Sequence, residues 1–190
     1  MKIKFFTFLA FAFLFCNNNS FAQFKDSLSN KSNRFSLGIQ ISSFGGDFGW
    51  GVHFTSPYFA KKRLAIRLSA QYHYYEHLDS NATETLWTPY PAFKLGFVST
   101  SKVLINFLRL YSHTGALIVV PNTVFSDIPI AFGAYTKLGV EALFSSNGKA
   151  WGSYFFEGGW IGLFSKANRL PGNPVYSNGF LAATGVRFYF

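Results

Sequence analysis

The chain has few charged residues, and beyond its first segment it has no long apolar run. Asp, Glu, Lys and Arg make up 13% of the 190 residues, whereas an ordinary soluble domain carries roughly 25%. A soluble barrel of this size would need more charge to cover its outside. No stretch after Ala22 stays apolar for the roughly eighteen residues that a membrane-spanning helix requires. These absences argue against a soluble barrel and against transmembrane helices in this part of the chain.

The chain is also poor in cysteine and in acidic residues. Its single cysteine, Cys16, lies in the N-terminal segment, so cleavage of that segment would leave no thiol to form a disulfide. Eight acidic residues face 17 basic ones, which gives a formal net charge of +9. Aromatic residues, by contrast, reach 21% of the chain. Abundant apolar residues without apolar runs indicate alternation, the pattern of β-strands with one apolar face.

The first 22 residues have the pattern of a cleavable signal peptide. Lys2 and Lys4 precede an apolar run, Phe5–Phe15, that is too short to span a bilayer, and Ser20-Phe21-Ala22 is a small-x-small cleavage site. An uncleaved anchor and a lipoprotein signal cut before Cys16 are the alternatives. The short run disfavours the first, and the bulky residue before Cys16 disfavours the second. The sequence thus predicts export, a flexible periplasmic segment at 23–33 and one domain at 34–190.

Within that domain, eight segments alternate between apolar and polar residues, as strands with two different faces do. An even number of strands of about ten residues suits an antiparallel up-and-down transmembrane barrel with both termini on the periplasmic side. The fifth segment is the least regular. Because proline cannot donate to a sheet, Pro89 and Pro91 predict that the upper end of the fourth is irregular or lies beyond the membrane. In chain order the segments are 34–42, 48–55, 64–74, 87–97, 103–120, 128–144, 153–164 and 178–190.

The connections predict which end of the barrel faces outward. Barrels of this type have short periplasmic turns and longer external loops. On that basis the periplasmic turns are predicted at 56–63, 99–102 and 145–149, and the external loops at 44–47, 76–86, 121–127 and 165–177. The short 44–47 loop and the longer 56–63 turn fit this scheme less well.

The last thirteen residues form the clearest of these segments. Six side chains, of which three are phenylalanines, share one face, and the chain stops on Phe190 with no tail, as the closing strand of a transmembrane barrel would. The segment resembles the C-terminal β-signal of Gram-negative outer-membrane proteins, with Gly185, Phe188 and Phe190 at its key positions. Ala183 stands where that signal usually has a polar residue.

On these features, nearly the whole mature chain resembles the small eight-stranded OmpA/OmpX-type barrels and the outer-membrane β-barrel domain proteins of Bacteroidota. The resemblance rests on the strand pattern, a signal ending in FAQ and the terminal GVRFYF. It implies an integral outer-membrane location, insertion by the barrel-assembly machinery through the C-terminal strand, and contact with outer-membrane lipids. It implies no shared activity, because fold does not fix function.

The inward faces of the predicted strands carry a set of charges that we expect to interact in the lumen. An eight-stranded barrel is just wide enough for side chains to fill it, and a buried charge needs a partner. Because cations outnumber carboxylates, the surplus is expected either near the rims, in water, or around a bound anionic group such as a lipid phosphate. The predicted lumenal charges are Arg67, Lys94, Arg109, Lys137, Glu141, Glu157 and Arg187.

The sequence does not predict a catalytic, cofactor or metal site. His53, His73 and His113 are predicted to face the lumen and His77 to lie in an external loop, without the convergent spacing of metal ligands. The segment Tyr176-Ser177-Asn178 resembles part of the His-x-Ser-Asn motif of outer-membrane lipid A deacylases. Val175 takes the place of the histidine, so the base is missing.

The leading hypothesis from the sequence is therefore a structural or accessory barrel, with a protein partner in a larger envelope complex as one option. The alternatives are a small-solute or lipid-associated barrel with a basic lumen and, third, a lipid A-modifying enzyme. Lys61-Lys62-Arg63 in a periplasmic turn is interpreted as solvated, with contact to anionic headgroups or a periplasmic partner as the alternative. The predicted location excludes nucleic acid as a partner.

Overall fold

The structure, a computed structural model, describes residues 34–78, 84–105, 107–146 and 149–190. The predicted signal peptide at 1–22 and the predicted periplasmic segment at 23–33 lie outside these residues. The described chain forms eight strands, which are β1 (Ser36–Phe44), β2 (Asp47–Thr55), β3 (Leu64–Leu78), β4 (Thr85–Ile105), β5 (Leu108–Val119), β6 (Ala131–Ser146), β7 (Lys149–Leu163) and β8 (Gly179–Tyr189).

The eight strands form a closed barrel in which each strand pairs antiparallel with its chain neighbours. β1 and β8 close the ring, with Ser36 opposite Tyr189 and Phe44 opposite Leu181. The closure leaves no free sheet edge. The predicted all-β, eight-stranded, up-and-down architecture is confirmed. Within the described ranges, no helix has the length and apolar character needed to cross a membrane.

Side chains alternate between the outer surface and the lumen along each strand, because successive Cβ atoms in a strand point to opposite faces. In β1, for example, Ile39 is 56% exposed while its neighbour Gln40 is 5% exposed. The predicted alternation between an outward and an inward face is confirmed in all eight segments. Large apolar side chains therefore cover the outside, among them Leu37, Ile41, Trp50, Phe93, Leu95, Phe132, Leu138, Phe156 and Phe180.

The predicted turn at 99–102 is wrong, because β4 continues through it to Ile105. Residues 103–105 thus belong to β4, and β5 begins only at Leu108. The polar run Ser99–Lys102 indicated a turn, yet Ser99 and Thr100 pair with β5 before the register shifts between Thr100 and Val103. Polar residues are compatible with a strand where it extends past the apolar part of the barrel wall.

Of the two alternatives for the upper end of the fourth strand, irregularity is wrong, since Pro89 and Pro91 both lie within β4 opposite Tyr74 and Tyr72 of β3. That this end lies beyond the membrane stays a prediction. On the other side of β4, the ladder with β5 ends at the pair Ala92–Val119. Both prolines lie beyond that pair, where few donors are required, and the Pro91 carbonyl accepts a hydrogen bond from the Val120 N–H at 3.0 Å.

The connections define two ends of the barrel. At the end that we call the loop end, Gly45 and Gly46 make a two-residue turn with φ of 64° and 105°, which glycine adopts without strain. The other connections at this end are residues 79–84, shorter than the predicted loop 76–86, and the longer segments 120–130 and 164–178. Ile128 and Ile130 were predicted to begin the sixth strand, but they lie in the 120–130 loop. The turn end holds the Ser56–Arg63 connection, as predicted, and both barrel termini.

Candidate functional site

Glu141 of β6 is a fully buried carboxylate surrounded by donors from three other strands. It accepts hydrogen bonds from Arg109 Nε at 2.9 Å, Arg187 Nη1 at 2.8 Å and Ser153 Oγ at 2.5 Å. Tyr189 also donates to it. β5, β7 and β8 each supply at least one of these donors, so the carboxylate connects a continuous part of the barrel wall. Charge-assisted bonds of this kind are the stronger hydrogen bonds in proteins.

Glu157 of β7 is the second buried carboxylate, and it connects β5, β6 and β7 with β3 across the lumen. Arg67 Nη1 of β3 and the Tyr111 hydroxyl of β5 each donate to its Oε1 at 2.7 Å, and Lys137 of β6 donates to its Oε2. Arg187 Nη2 lies 4.0 Å from the same Oε1. Since Arg187 also binds Glu141, the two carboxylates belong to one network that crosses the lumen.

Lys94 lies apart from this network, although the sequence grouped it with the other six charges. It donates to Gln71 Oε1 at 2.5 Å and sits over the Phe44 ring, 4.3 Å from its centroid. The rings of Tyr135 and Phe44 thus offer it their negative faces. Among the described residues, Lys94 makes no ion pair.

All five lumenal cations are buried, which contradicts the expectation that the surplus lies near the rims in water. Lys94 is 2% exposed and Lys137 is 3% exposed. Arg109, nearest the turn end, is 7% exposed and lies under the Tyr58 ring, 5.3 Å from its centroid. The two glutamates pair with four of the five cations. The fifth, Lys94, has the Gln71 oxygen and aromatic ring faces as its neighbours.

An aromatic layer fills the lumen at the loop end. Phe125 of the 120–130 loop and Tyr176 of the 164–178 loop are buried against Tyr75 and Tyr90 of the barrel wall, with ring centroids 5.0–6.0 Å apart. Burial raises the pKa of the Tyr176 phenol. The two loops hold each other through a hydrogen bond from the Asp127 N–H to Asn168 Oδ1 at 2.8 Å. The loops therefore fold into the barrel mouth and close it.

The four histidines are structural parts of this packed interior. His53 Nε2 accepts a bond from Arg187 Nε at 3.1 Å, and His113 Nε2 lies 2.6 Å from the Tyr135 hydroxyl. His73 stacks on Phe44, with centroids 4.3 Å apart. His77 was predicted in a loop but is buried in β3, 2.8 Å from Thr88 Oγ1. The described residues contain no group of His, Cys, Asp and Glu that could hold a metal ion.

Inward glycines opposite inward rings are a feature that the sequence analysis missed. Gly139 pairs with Tyr111, and a Cβ added to Gly139 would lie 2.4 Å from the ring carbon Cζ. Gly38 pairs in the same way with His53, and Gly185 with Phe155. Each glycine leaves a notch into which the ring of the neighbouring strand folds, so the lumen can hold many rings. The alternation of the sequence places these glycines on the inward face. Which ring lies opposite each glycine can be said only once the pairing between strands is known.

The one candidate nucleophile from the sequence does not have the surroundings of a catalytic serine. Ser177 is fully buried, and its Oγ shares a hydrogen bond with the Tyr90 hydroxyl, which in turn donates to Asp47. Val175, at the position of the missing base, is 54% exposed. Ser177 thereby anchors the 164–178 loop to β4.

Comparison with known proteins supports the fold. No family model and no curated protein sequence matches the chain. Among solved structures it is similar to the N-terminal β-barrel domain of Pseudomonas aeruginosa OprF, with a TM-score of 0.53 and 16% identity over 84% of this chain and 98% of that one. It also matches Ail, the attachment invasion locus protein of Yersinia pestis, with a TM-score of 0.41 and 11% identity over 83% and 97% of the two chains.

Proposed function

We propose that this protein is an integral outer-membrane β-barrel with a side-chain-filled lumen, serving a structural or accessory role in the cell envelope. The observation that carries the proposal is that the outer face of the barrel wall is apolar whereas the inner face is polar and charged. Leu138 is 70% exposed, while its neighbours in sequence face a lumen that holds buried ion pairs. A surface of this kind is stable in lipid and would aggregate in water.

The filled lumen favours a structural or accessory role over transport. The Glu141 and Glu157 network crosses the barrel, the aromatic layer closes the loop end, and Tyr58 covers Arg109 at the turn end. The buried cations are engaged by neighbouring side chains, which disfavours the alternative of a lumenal solute or lipid site. The alternative of a lipid A-modifying enzyme is disfavoured because Ser177 is fully buried and its hydroxyl is bonded to Tyr90.

The C-terminal strand supports the proposed route into the membrane. In β8, Phe188 and the following Phe190 present exposed rings on the outer face, and Gly185 faces Gln40 of β1. These are the residues that resemble a β-signal for the barrel-assembly machinery. We propose that this machinery and the outer-membrane lipids are the partners of this strand, with a protein of a larger envelope complex as a further partner of the folded barrel.

Fractionation of cells that produce the full-length chain tests the location. The mature protein should be found in the outer-membrane fraction, resist extraction by carbonate, and migrate faster on gels before boiling than after it. Recovery in the soluble fraction, or mobility that boiling does not change, would contradict an integral barrel. Purification in mild detergent then tests the accessory role, since a stoichiometric envelope protein should remain bound.

A further inference from the structure

The exposed acidic side chains that the structure describes are confined to one end of the barrel. Every exposed acidic side chain in the described ranges, namely those of Glu76, Glu84 and Asp127, lies at the loop end. Among the side chains that the structure describes at the turn end, the exposed charged ones are those of Lys61, Lys62 and Arg63. The described part of the turn end has no exposed acidic side chain, so no acidic side chain described there neutralises these three cations.

The backbone of this turn is strained in a way that displays the cations. Ala60, Lys61 and Lys62 have φ of 47°, 59° and 63°, three consecutive non-glycine residues in the left-handed region. Left-handed backbone is unfavourable for such residues because the Cβ atom comes too close to the following carbonyl oxygen. The turn is fixed on both sides, by the Phe59 N–H to the Leu64 carbonyl at 2.7 Å and by the Thr100 N–H to the Arg63 carbonyl at 2.9 Å. The turn thus holds three like charges close together on a strained backbone. Strained backbone of this kind is often found at binding sites, which suggests that the charges bind a ligand.

The turn lies directly beside the apolar outer surface. Phe54 of β2 and Ile66 of β3 flank it and are 41% and 40% exposed, and Phe59 within it is 44% exposed. In a barrel that spans a bilayer, the cations just beyond these side chains are at the depth of the lipid headgroups, while the rings contact the acyl chains.

We infer that this turn, Ser56–Arg63, binds the phosphate of an anionic phospholipid in the leaflet at the turn end. The inference rests on the proposed outer-membrane location. Charge complementarity selects an anionic headgroup, and the flanking apolar side chains select a lipid over a free anion or an acidic protein. Basic residues near a membrane surface each contribute about 1 kcal/mol to the attraction of anionic lipid, or about fivefold in binding.

Lipid retention by the full-length mature barrel tests this inference. Protein in mild detergent is mixed with equal amounts of phosphatidylglycerol and phosphatidylcholine of the same acyl chains, and the bound lipids are counted by native mass spectrometry. The wild type should retain phosphatidylglycerol preferentially. The variant K61Q/K62Q/R63Q should lose about tenfold or more of this preference, and 1 M salt, with a Debye length of about 3 Å, should weaken it in the wild type.

Two controls separate the charge from its surroundings. Lys166→Gln removes an exposed cation at the loop end and should leave the preference unchanged, while Lys61→Gln should reduce it. Ala60→Gly relieves the backbone strain at one of the three left-handed residues without removing charge. It should also leave the preference unchanged.

Equal retention by the wild type and the triple variant would overturn the inference, as would loss of an envelope protein from the triple variant without any change in lipid retention. If the wild type fractionates in the outer membrane and changes mobility on boiling, such a result leaves the proposed location standing. A wild type that fails those tests would refute the location itself.

Discussion

Glu157 accepts hydrogen bonds from three buried donors, the side chains of Arg67, Tyr111 and Lys137. Its change to Gln would leave Arg67 and Lys137 without their carboxylate, and removing one member of a buried ion pair typically costs 3–5 kcal/mol. We expect Glu157→Gln to lower the free energy of unfolding by about that amount, measured by urea titration in lipid vesicles.

Asp127→Asn provides the matched control for this experiment. Asp127 also pairs with an arginine, Arg169, but its side chain is 55% exposed. Exposed pairs are typically worth less than about 1 kcal/mol, so this change should hardly alter the unfolding curve. If the two variants were equally stable, the lumenal network would not be a source of stability.

The notch at Gly139 leads to a second prediction for a single residue. Gly139→Ala would force the Tyr111 ring to move, and with it the hydrogen bond from Tyr111 to Glu157. Overpacking of this kind typically costs 1–3 kcal/mol. Gly162→Ala, in a strand position where a Cβ would meet nothing within 4 Å, is the control. Urea titration should show a loss for the first variant and no loss for the second.

Among the elements, β6 offers the sharpest test of which face meets lipid. Leu138 lies near the middle of the strand and points outward. Leu138→Arg should impair insertion by about 2–4 kcal/mol if this position is at mid-bilayer, whereas Leu138→Ala should lose only apolar contact. The inward Tyr135→Gln should insert better than Leu138→Arg. The measurement is the fraction of protein with heat-modifiable gel mobility, and equal fractions for the arginine and glutamine variants would contradict the facing.

The strands that sequence reasoning located best are those whose apolar face runs their whole length. β1, β2 and β8 alternate without interruption between their turns, so parity alone gave their facing. β4 and β5 were divided wrongly because the polar run at Ser99–Lys102 has the composition of a turn. Composition cannot distinguish a turn from a strand that continues into a polar environment. The same limit hid the extension of β3 that buries His77.

For the whole molecule, the filled lumen predicts the absence of a steady conductance. Protein reconstituted into planar bilayers should give no large, lasting current, because both the aromatic layer and the ion-pair network obstruct the axis. A variant with Phe125→Ala and Tyr176→Ala removes the first obstruction only, so it too should stay closed. A large steady current from the wild type would refute the filled lumen.

The site was predictable from the sequence only as a list of inward charges. The alternation of apolar and polar residues placed Glu141, Glu157 and Arg187 on the inner face, so ion pairs among them could be predicted. Which cation meets which carboxylate depends on strand register, and the separate position of Lys94 beside Gln71 depends on the rings around it. The closure of the mouth by Phe125 and Tyr176 comes from loops, where alternation carries no information.

The contact between Arg187 and His53 joins residues 134 positions apart in the chain. Arg187 arrives with the last strand, and its hydrogen-bond acceptors His53 and Glu141 belong to strands that are made earlier. Contacts of such long sequence separation form late and slow folding. The hydrogen bonds of Arg187 in the lumen therefore form only when β8 pairs with β1 and closes the barrel. An intermediate that lacks the last strand would keep Glu141 short of one cation, and it would open more readily than the finished ring.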